Sequence, residues 1–248
     1  MSKLNIDQKS IKALFSDKKA DFLIPVYQRP YAWGEKECQT LWDDLFAFAF
    51  PENVNGECDP ELFNTDEEYY LGPIVTFKNE NGQLEVIDGQ QRLTTLMLLL
   101  RAFYSNFGKM SAPNIRKLKE AIEQCIWKVD EDDEVLPNML KIASDVATDN
   151  DKDEFLEILK SGETKPSHKS IYAKNFRFFI EKIAKYKDEY PEYFSKLPKR
   201  IIDNCILLPI EAESQDTALR IFSTLNDRGK PLSDGDIFKA QFYKYFCR

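Results

Sequence analysis

The sequence predicts an α+β fold, in which a small mixed sheet forms the core and a large α-helical extension surrounds it. The first observation is a hairpin: residues 69–77 and 84–88 have strand character, and the Asn-Glu-Asn-Gly turn at 79–82 joins them. The second is a strongly apolar helix predicted at residues 92–107, directly after the second strand. The third is helical periodicity that dominates from about residue 111 to 200, before strand character returns.

The other elements follow from apolar periodicity and from helix start and stop signals. Further strands are predicted at residues 21–26 and 204–210, and the acidic segment 51–68 is predicted to be a loop. Helices are predicted at residues 5–15, 35–50, 115–129, around 136–143, 151–160, 167–187, 216–225 and 234–246. The last helix runs to the end without a stop signal, so we expect the chain to continue beyond Arg248. We predict three parts: a sheet-based core at 1–108, a helical subdomain at 109–200, and a strand with helices returning to the core at 201–248.

Composition limits the classes of function. The 248 residues carry a net charge of −8, which excludes a large nucleic-acid footprint unless a local basic patch supplies it. Five scattered cysteines without a CxxC pair favour a reduced, cytoplasmic protein without zinc or a disulfide framework. No apolar run is long enough to span a membrane, so no membrane partner is expected. The single histidine, His168, is interpreted as a solvated loop residue. Because there is only one histidine, this chain cannot contain a nuclease centre that is built on paired histidines.

The segment Asp88-Gly-Gln-Gln-Arg92 is the first candidate site. It places a carboxylate at a strand end and two amides and a guanidinium at a helix N-terminus. Free backbone N–H groups and the helix dipole at such a position suit a phosphate. Gly89 permits a sharp turn and a close approach of the ligand, and Arg92 offers a planar fork that matches phosphate oxygens. The alternative is that Asp88 caps the helix and Arg92 lies on its surface.

Two further clusters are candidates. The segment Tyr27-Gln-Arg-Pro-Tyr-Ala-Trp33 combines aromatic rings and a guanidinium on an irregular stretch, which suits stacking on a base and contacting a phosphate. An aromatic loop that closes one end of the core is an equally weighted alternative. Asn226 and Arg228 follow a predicted helix. There Arg228 either compensates the helix dipole or belongs to a loop that folds over a ligand at the first site.

Together these clusters resemble the GmrS-type family (domain of unknown function 262), which is marked by its DGQQR motif. The matching segments, in the family's order, are Ile24-Pro-Val-Tyr-Gln-Arg-Pro-Tyr-Ala-Trp33, Tyr70-Leu-Gly-Pro-Ile74, Val86-Ile-Asp-Gly-Gln-Gln-Arg-Leu-Thr-Thr95 and Phe222-Ser-Thr-Leu-Asn-Asp-Arg-Gly-Lys-Pro-Leu-Ser233. The resemblance covers nearly the whole chain. It implies a core similar to the ParB/sulfiredoxin fold, in whose relatives the corresponding turn holds nucleotide phosphates at a helix start.

The resemblance further implies a nucleoside-triphosphatase module of type IV, modification-dependent restriction or anti-phage systems. Such a module would couple hydrolysis of a nucleoside triphosphate, with Mg²⁺, to sensing of modified DNA and to an HNH-type nuclease on a further domain or a separate chain. Its implied catalytic residues are Asp88, Gln90, Gln91 and Arg92. Its implied nucleotide-binding residues are Tyr27, Gln28, Arg29, Gly89, Thr94, Thr95, Asn226 and Arg228. Asp88 is also the candidate Mg²⁺ ligand. The sequence leaves the oligomeric state open, a homo-oligomer included.

Two other functions are open from the residues themselves. One is a nucleotide-dependent switch that binds without turnover and controls a partner. The other is a modified-DNA reader whose turn grips a DNA phosphate, which the net charge of −8 opposes unless Arg29, Arg92 and Arg228 form a sufficient patch. The residues oppose a sulfiredoxin-like reductase, because Gln90 and Gln91 stand where a reactive thiol would be required. A direct ParB-like nuclease activity is a further alternative, but the sequence has no separate metal cluster to support it.

Overall fold

The computed structural model describes residues 5–50 and 66–226 of the chain. In this part of the chain, seven strands form a mixed sheet in the order β1-β9-β4-β5-β3-β8, with β2 also paired to β9. The strands of this sheet are β1 (Asn5–Ile6), β2 (Lys9–Ser10), β3 (Phe22–Ile24), β4 (Tyr69–Lys78), β5 (Leu84–Asp88), β8 (Ile142–Ser144) and β9 (Cys205–Ala212). Two further strands, β6 (Trp127–Val129) and β7 (Val135–Leu140), pair separately.

Helices surround this sheet, and the predicted α+β class is therefore confirmed. They are α1 (Ile11–Phe15), α2 (Glu35–Ala49), α3 (Gln90–Phe107), α4 (Pro113–Ile126), α5 (Lys152–Ser161), α6 (Ile171–Glu189), α7 (Lys196–Asn204) and α8 (Gln215–Asn226). A short 3-10 turn at Pro191–Tyr193 precedes α7. In the described residues, no helix is long and apolar enough to cross a membrane.

Helix α3 is the centre of the molecule. Fourteen of its 18 residues are buried, because its apolar side chains occur on every side and not on one stripe. The helix packs against both α4 and α6, and its apolar residues belong to the main hydrophobic core. It begins at Gln90, two residues before the predicted start, because Gly89 turns the chain directly from strand into helix.

The strand register gathers several chain segments at one edge of the sheet. Strands β5 and β8 both pair with β3 in parallel, so the carboxyl ends of all three strands lie at the same edge. Strand β4 is antiparallel to β5, and Val75 is paired with Asp88. The end of β5 therefore lies beside the middle of β4, and the first half of β4 extends beyond it.

The second face of the sheet is covered by α8. Val75, Ile87 and Ile210 form a smaller apolar cluster there, against which Phe222 of α8 and Tyr27 pack. The larger core, on the opposite face, extends from Ile11 to Leu207 in the sequence.

Three secondary-structure predictions were wrong. The helix predicted around residues 136–143 is replaced by strands β7 and β8. The predicted helix at 115–129 ends at Ile126, and residues 5–10 of the first predicted helix form β1 and β2. In each case pairing with another strand replaces the predicted helix, since β8 pairs with β3, β6 pairs with β7, and both β1 and β2 pair with β9.

The middle segment is consequently not purely helical. Strand β8 adds to the main sheet, and residues of α4, α5 and α6 lie in the same hydrophobic core as the sheet. The proposed boundaries at 108 and 200 remain predictions. The predicted helix at 234–246 lies outside the described residues.

His168 is buried and not solvated as predicted, with 8% of its surface exposed. Its Nδ1 accepts a hydrogen bond from the Lys165 backbone N–H at 3.3 Å, and its carbonyl oxygen accepts one from Arg177. The imidazole therefore fixes the turn between α5 and α6. The prediction of a solvated His168 was wrong because local hydrogen bonds of this kind can stabilise a polar turn in a buried position.

Candidate functional site

The DGQQR turn joins β5 to α3 with the geometry that an anion site requires. Gly89 has φ +89°, in the left-handed region, and a Cβ at this position would lie 2.3 Å from Ile74 Cδ1. Glycine is thus required here both for conformation and for space. The Leu93 N–H donates to the Gly89 carbonyl at 2.9 Å, whereas the N–H groups of residues 90–92 have no acceptor among the described residues.

The Asp88 carboxylate lies half-buried at the end of β5. Burial raises the pKa of this carboxyl above its ordinary value, while the Gly89 N–H and the charges of Arg92 and Arg29 act in the opposite direction. The charges of two guanidinium groups from different segments of the chain therefore act on one carboxylate, although neither forms an ion pair with Asp88 among the described residues. This brings together the charged residues of the first and second sequence motifs.

Arg92 lies over the beginning of β4. Its Nη1 donates to the Pro73 carbonyl oxygen at 2.9 Å. Gly72 has φ +116°, and a Cβ there would lie 2.8 Å from Arg92 Nη2. The Tyr70–Ile74 motif is thus explained as the surface on which the guanidinium rests. Burial lowers the pKa of Arg92, and the Asp88 charge opposes that shift.

The remaining N–H groups of the Arg92 guanidinium have no acceptor among the described residues. The side chain is half-buried, so these donors lie in a partly desolvated position. Charge-assisted hydrogen bonds are stronger in such surroundings than in water. The guanidinium can therefore bind an anion through its free donors.

Gln91 connects α3 to the segment that contains Arg29. Its Oε1 accepts the backbone N–H groups of Ala32 at 2.7 Å and Trp33 at 3.1 Å, and its Nε2 donates to the Pro30 carbonyl at 3.2 Å. Gln90 adds a bond from Nε2 to the Arg29 carbonyl at 3.3 Å.

Both glutamine side chains are buried, with 7% exposure each. In this conformation their amides hold the segment of residues 29–33 in place, and the Gln91 amide makes three hydrogen bonds to its backbone. Their catalytic role stays a prediction. The geometry favours a role in positioning the loop.

Gln28 and Tyr27 fix the start of the same segment. Gln28 Nε2 donates to the carbonyl oxygens of Val86 at 3.1 Å and Ile87 at 2.9 Å. Tyr27 contacts Glu85 Oε2 through its hydroxyl at 3.4 Å and packs with the apolar cluster under α8. Of the three predicted residues in this motif, Arg29 alone has an exposed side chain.

A buried network continues from the segment into the helices. The Tyr31 hydroxyl lies 2.7 Å from Thr95 Oγ1, and Asn175 Nδ2 of α6 donates to the Tyr31 hydroxyl at 2.9 Å and the Trp33 carbonyl at 2.7 Å. The Thr95 hydroxyl also donates to the Gln91 carbonyl at 2.8 Å. Thr94 is 1% exposed, and Thr95 is fully buried. Their part in nucleotide binding stays a prediction.

Sequence reasoning missed two contributors. One is Asn175, a polar residue within the apolar stripe of α6. A polar residue at such a position predicts a buried side chain with hydrogen-bond partners. Gly72 and Pro73 belong to a sequence motif, but their residue types predict no role for their backbone. Of the other predicted residues, Arg228 lies outside the described residues, and Asn226 is the last residue of α8.

Metal binding at this site would depend on Asp88. Within the described ranges, no group of three or more histidine, cysteine or acidic residues could hold a metal ion. One carboxylate nevertheless fits Mg²⁺ that is held mostly by substrate phosphates and water, which is the usual arrangement in phosphoryl-transfer sites.

Comparison with known proteins gives one family. The family model for the N-terminal domain of the GmrSD restriction endonuclease matches residues 11–243, nearly the whole chain. No curated protein matches the chain significantly.

Proposed function

Because the chain belongs to the family of GmrSD restriction endonuclease N-terminal domains, we propose that it is the nucleotide-hydrolysing module of a modification-dependent restriction system. Family membership supports the role in restriction. Hydrolysis is supported by one observation: at a single turn with free N–H groups on residues 90–92, the Asp88 carboxylate lies under the electrostatic influence of both Arg92 and Arg29.

The turn would bind the phosphates of a nucleoside triphosphate. The N–H groups at the start of α3 and the positive end of its dipole attract an anion, and Gly89 supplies the left-handed turn that begins the helix at this point. The free donors of Arg92 add charge-assisted hydrogen bonds. Arg29, exposed at the rim, would contact the phosphates from the other side.

Catalysis would rest on placement and on neutralisation of charge, as in other phosphoryl transfers. Arg92 and Arg29 would stabilise the negative charge that develops on the transferred group. Asp88 would hold Mg²⁺ or orient the attacking water, and the ion when bound would neutralise phosphate charge. Gln90 and Gln91 would keep Arg29 in position through the loop backbone.

The test is phosphate release from each of the four common nucleoside triphosphates with Mg²⁺. We compare wild type with Arg92→Ala and Arg92→Lys, and use Lys174→Ala as a control that removes an exposed charge elsewhere. Loss of the arginine should lower turnover by roughly 10³-fold or more. Arg92→Lys should recover little, since lysine cannot reproduce the planar fork. Equal turnover in wild type and Arg92→Ala, with both variants folded, would refute a hydrolytic site at this turn.

A nucleotide-dependent switch without turnover is the second candidate. It is favoured by the Gln91 amide, whose oxygen already accepts two backbone N–H groups of the loop and is therefore not free to orient a water molecule. Calorimetry separates the two proposals: saturable nucleotide binding without phosphate release selects the switch. In either case, the proposed partners are modified DNA and an HNH-type nuclease on a further domain or chain.

A further inference from the structure

The chain contains one long stretch without a carboxylate. From Gly89 to Lys119 there is no Asp or Glu, although the protein has 42 acidic and 34 basic residues. Arg92 and Arg101 in this stretch are inside the structure, and Arg101 binds the Leu159 carbonyl at 2.8 Å. The other four bases, Lys109, Arg116, Lys117 and Lys119, lie in the turn after α3 and the first half of α4.

Most of these four basic side chains are exposed to solvent. Residues 108–114 and the side chains of Arg116 and Lys117 are exposed. Lys119 folds back instead, donating to the Gly108 carbonyl at 3.0 Å. The turn is therefore held against the helix, and Lys109, Arg116 and Lys117 project from one compact region.

Helix α7 extends this region. Asn114 Nδ2 donates to Ser195 Oγ at 2.8 Å, which joins the start of α4 to the start of α7. Lys196, the next residue, is exposed. We call Lys109, Arg116, Lys117 and Lys196 the basic surface. Among the described residues none of its four members forms an ion pair, whereas nearby Lys199 is paired with Asp203 at 2.7 Å.

Unpaired cations on one surface of an acidic protein suit a partner that carries closely spaced negative charge. Duplex DNA presents one such charge per about 1.7 Å of axis and releases counterions when lysine or arginine approaches. The first carboxylate after the stretch is Glu120, and it forms no ion pair with Arg116 within the described residues. The surface therefore keeps its positive charge free.

We propose that the basic surface binds the phosphate backbone of duplex DNA. This inference rests on the proposed function in one respect, because the role in restriction is the reason that DNA is taken as the partner. It places the DNA contact at the opposite end of α3 from the candidate nucleotide site. An 18-residue helix spans roughly 27 Å, so the two ligands would occupy separate surfaces connected by one buried helix.

The test measures binding of a short fluorescent DNA duplex to the whole chain over a series of salt concentrations. The variant is the triple substitution Lys109→Ala, Arg116→Ala and Lys117→Ala. The matched control is Lys160→Ala, Lys169→Ala and Lys174→Ala, which removes the same charge from exposed lysines outside the basic surface. Circular dichroism and thermal unfolding verify that both triple variants fold.

The basic-surface variant should bind at least about tenfold more weakly, and the salt slope of log K should fall by about 2 to 3. The control should bind within about twofold of wild type. Equal weakening of both triple variants, or no salt-dependent binding by wild type, overturns the proposal. Equally effective competition by polyglutamate at matched charge overturns the assignment to DNA.

Nucleotide turnover is measured in the same preparations. The basic-surface variant should retain the wild-type rate without DNA, and Arg92→Ala should retain wild-type DNA affinity. Failure of hydrolysis in wild type would refute the proposed activity while leaving the DNA result intact. Loss of DNA binding in Arg92→Ala alone, with the basic-surface variant unaffected, would place the DNA contact at the DGQQR turn and overturn the inference.

Discussion

At the scale of single residues, two glycines shape the candidate site in different ways. Gly89 makes room against Ile74 so that the strand can turn into the helix. Gly72 makes room for the Arg92 guanidinium itself. Each has a positive φ, but only at Gly72 does the space concern a charged group that the proposed chemistry uses. A side chain at position 89 would therefore disturb the fold, whereas one at position 72 would also displace the guanidinium of the proposed site.

Gly72→Ala should therefore displace Arg92 and reduce turnover toward that of Arg92→Ala. The Cβ would lie 2.8 Å from Nη2, and the positive φ adds a strain that destabilises the fold by more than about 1 kcal/mol. Gly82→Ala is the matched control, because its φ is +80° but its Cβ would meet nothing within 4 Å. Denaturant unfolding and phosphate release measure both effects. Equal loss of activity in the two variants would show that strain alone is responsible.

Asp88 should make the protein less stable when it is ionised. Burial raises its pKa in the folded state, so its charged form is disfavoured there relative to the unfolded chain. A carboxyl shifted in this direction contributes its stability below its unfolded pKa of about 3.9 and loses it as pH rises through the folded value. Asp88→Asn should consequently raise the free energy of unfolding at neutral pH, with a smaller gain in acid.

Urea unfolding at neutral and acidic pH measures this difference. Glu181→Gln, which removes an exposed carboxylate on α6, is the control and should show little change at either pH. Turnover should be lost in Asp88→Asn although stability rises, because a neutral amide cannot replace the carboxylate that would hold Mg²⁺ or orient the attacking water. A variant less stable than wild type at neutral pH contradicts the prediction.

At the scale of elements, the site is an assembly of a helix start, a strand start and an irregular segment. The amides of Gln90 and Gln91 join α3 to residues 29–33, and Asn175 joins that segment to α6. Backbone groups of an irregular segment must find partners when they are removed from water. Side-chain amides supply them here, so the position of Arg29 depends on α3.

Gln91→Ala should destabilise the protein by at least about 1–3 kcal/mol, since it leaves the N–H groups of Ala32 and Trp33 without their acceptor. It should also reduce activity by releasing the segment that carries Arg29. Gln124→Ala makes the same chemical change on the partly exposed side of α4 and should cost less than about 0.5 kcal/mol. Thermal unfolding compares the two. An unchanged midpoint in Gln91→Ala would refute the positioning role.

At the scale of the whole molecule, one core joins segments that the sequence divides into three parts. The helices of residues 109–200 pack on α3, and β8 extends the sheet. Cys38, Cys125 and Cys205 are buried in this core as free thiols. Burial raises the pKa of each of these thiols to about 12.

Alkylation of the native protein near pH 8 should therefore leave these three cysteines unmodified, because the thiolate is the reacting form. In denaturant all three should react at ordinary rates. Peptide mass spectrometry measures the modification of each cysteine separately. The denatured sample is the control, because it shows that each modified peptide can be detected. Rapid native labelling of Cys38, Cys125 or Cys205 would mean that the core opens far more readily than a single cooperative unit allows.

The sequence alone was sufficient for the elements whose signals are local. Strand Leu84–Asp88, the turn at Gly89 and the apolar helix behind it follow from neighbouring residues, and the structure has them nearly as predicted. The α+β class and the family followed in the same way, since both depend on patterns and motifs that can be read in order along the chain.

Only the tertiary structure decided which groups meet. The partners of Gln91 lie 58 to 61 residues away, and those of Asn175 lie 142 and 144 residues away. Packing between distant segments likewise decides that the Arg92 guanidinium lies against Gly72 and that β8 pairs with β3. Local propensity carries no information on such contacts, because their free energy is gained only when the whole core closes.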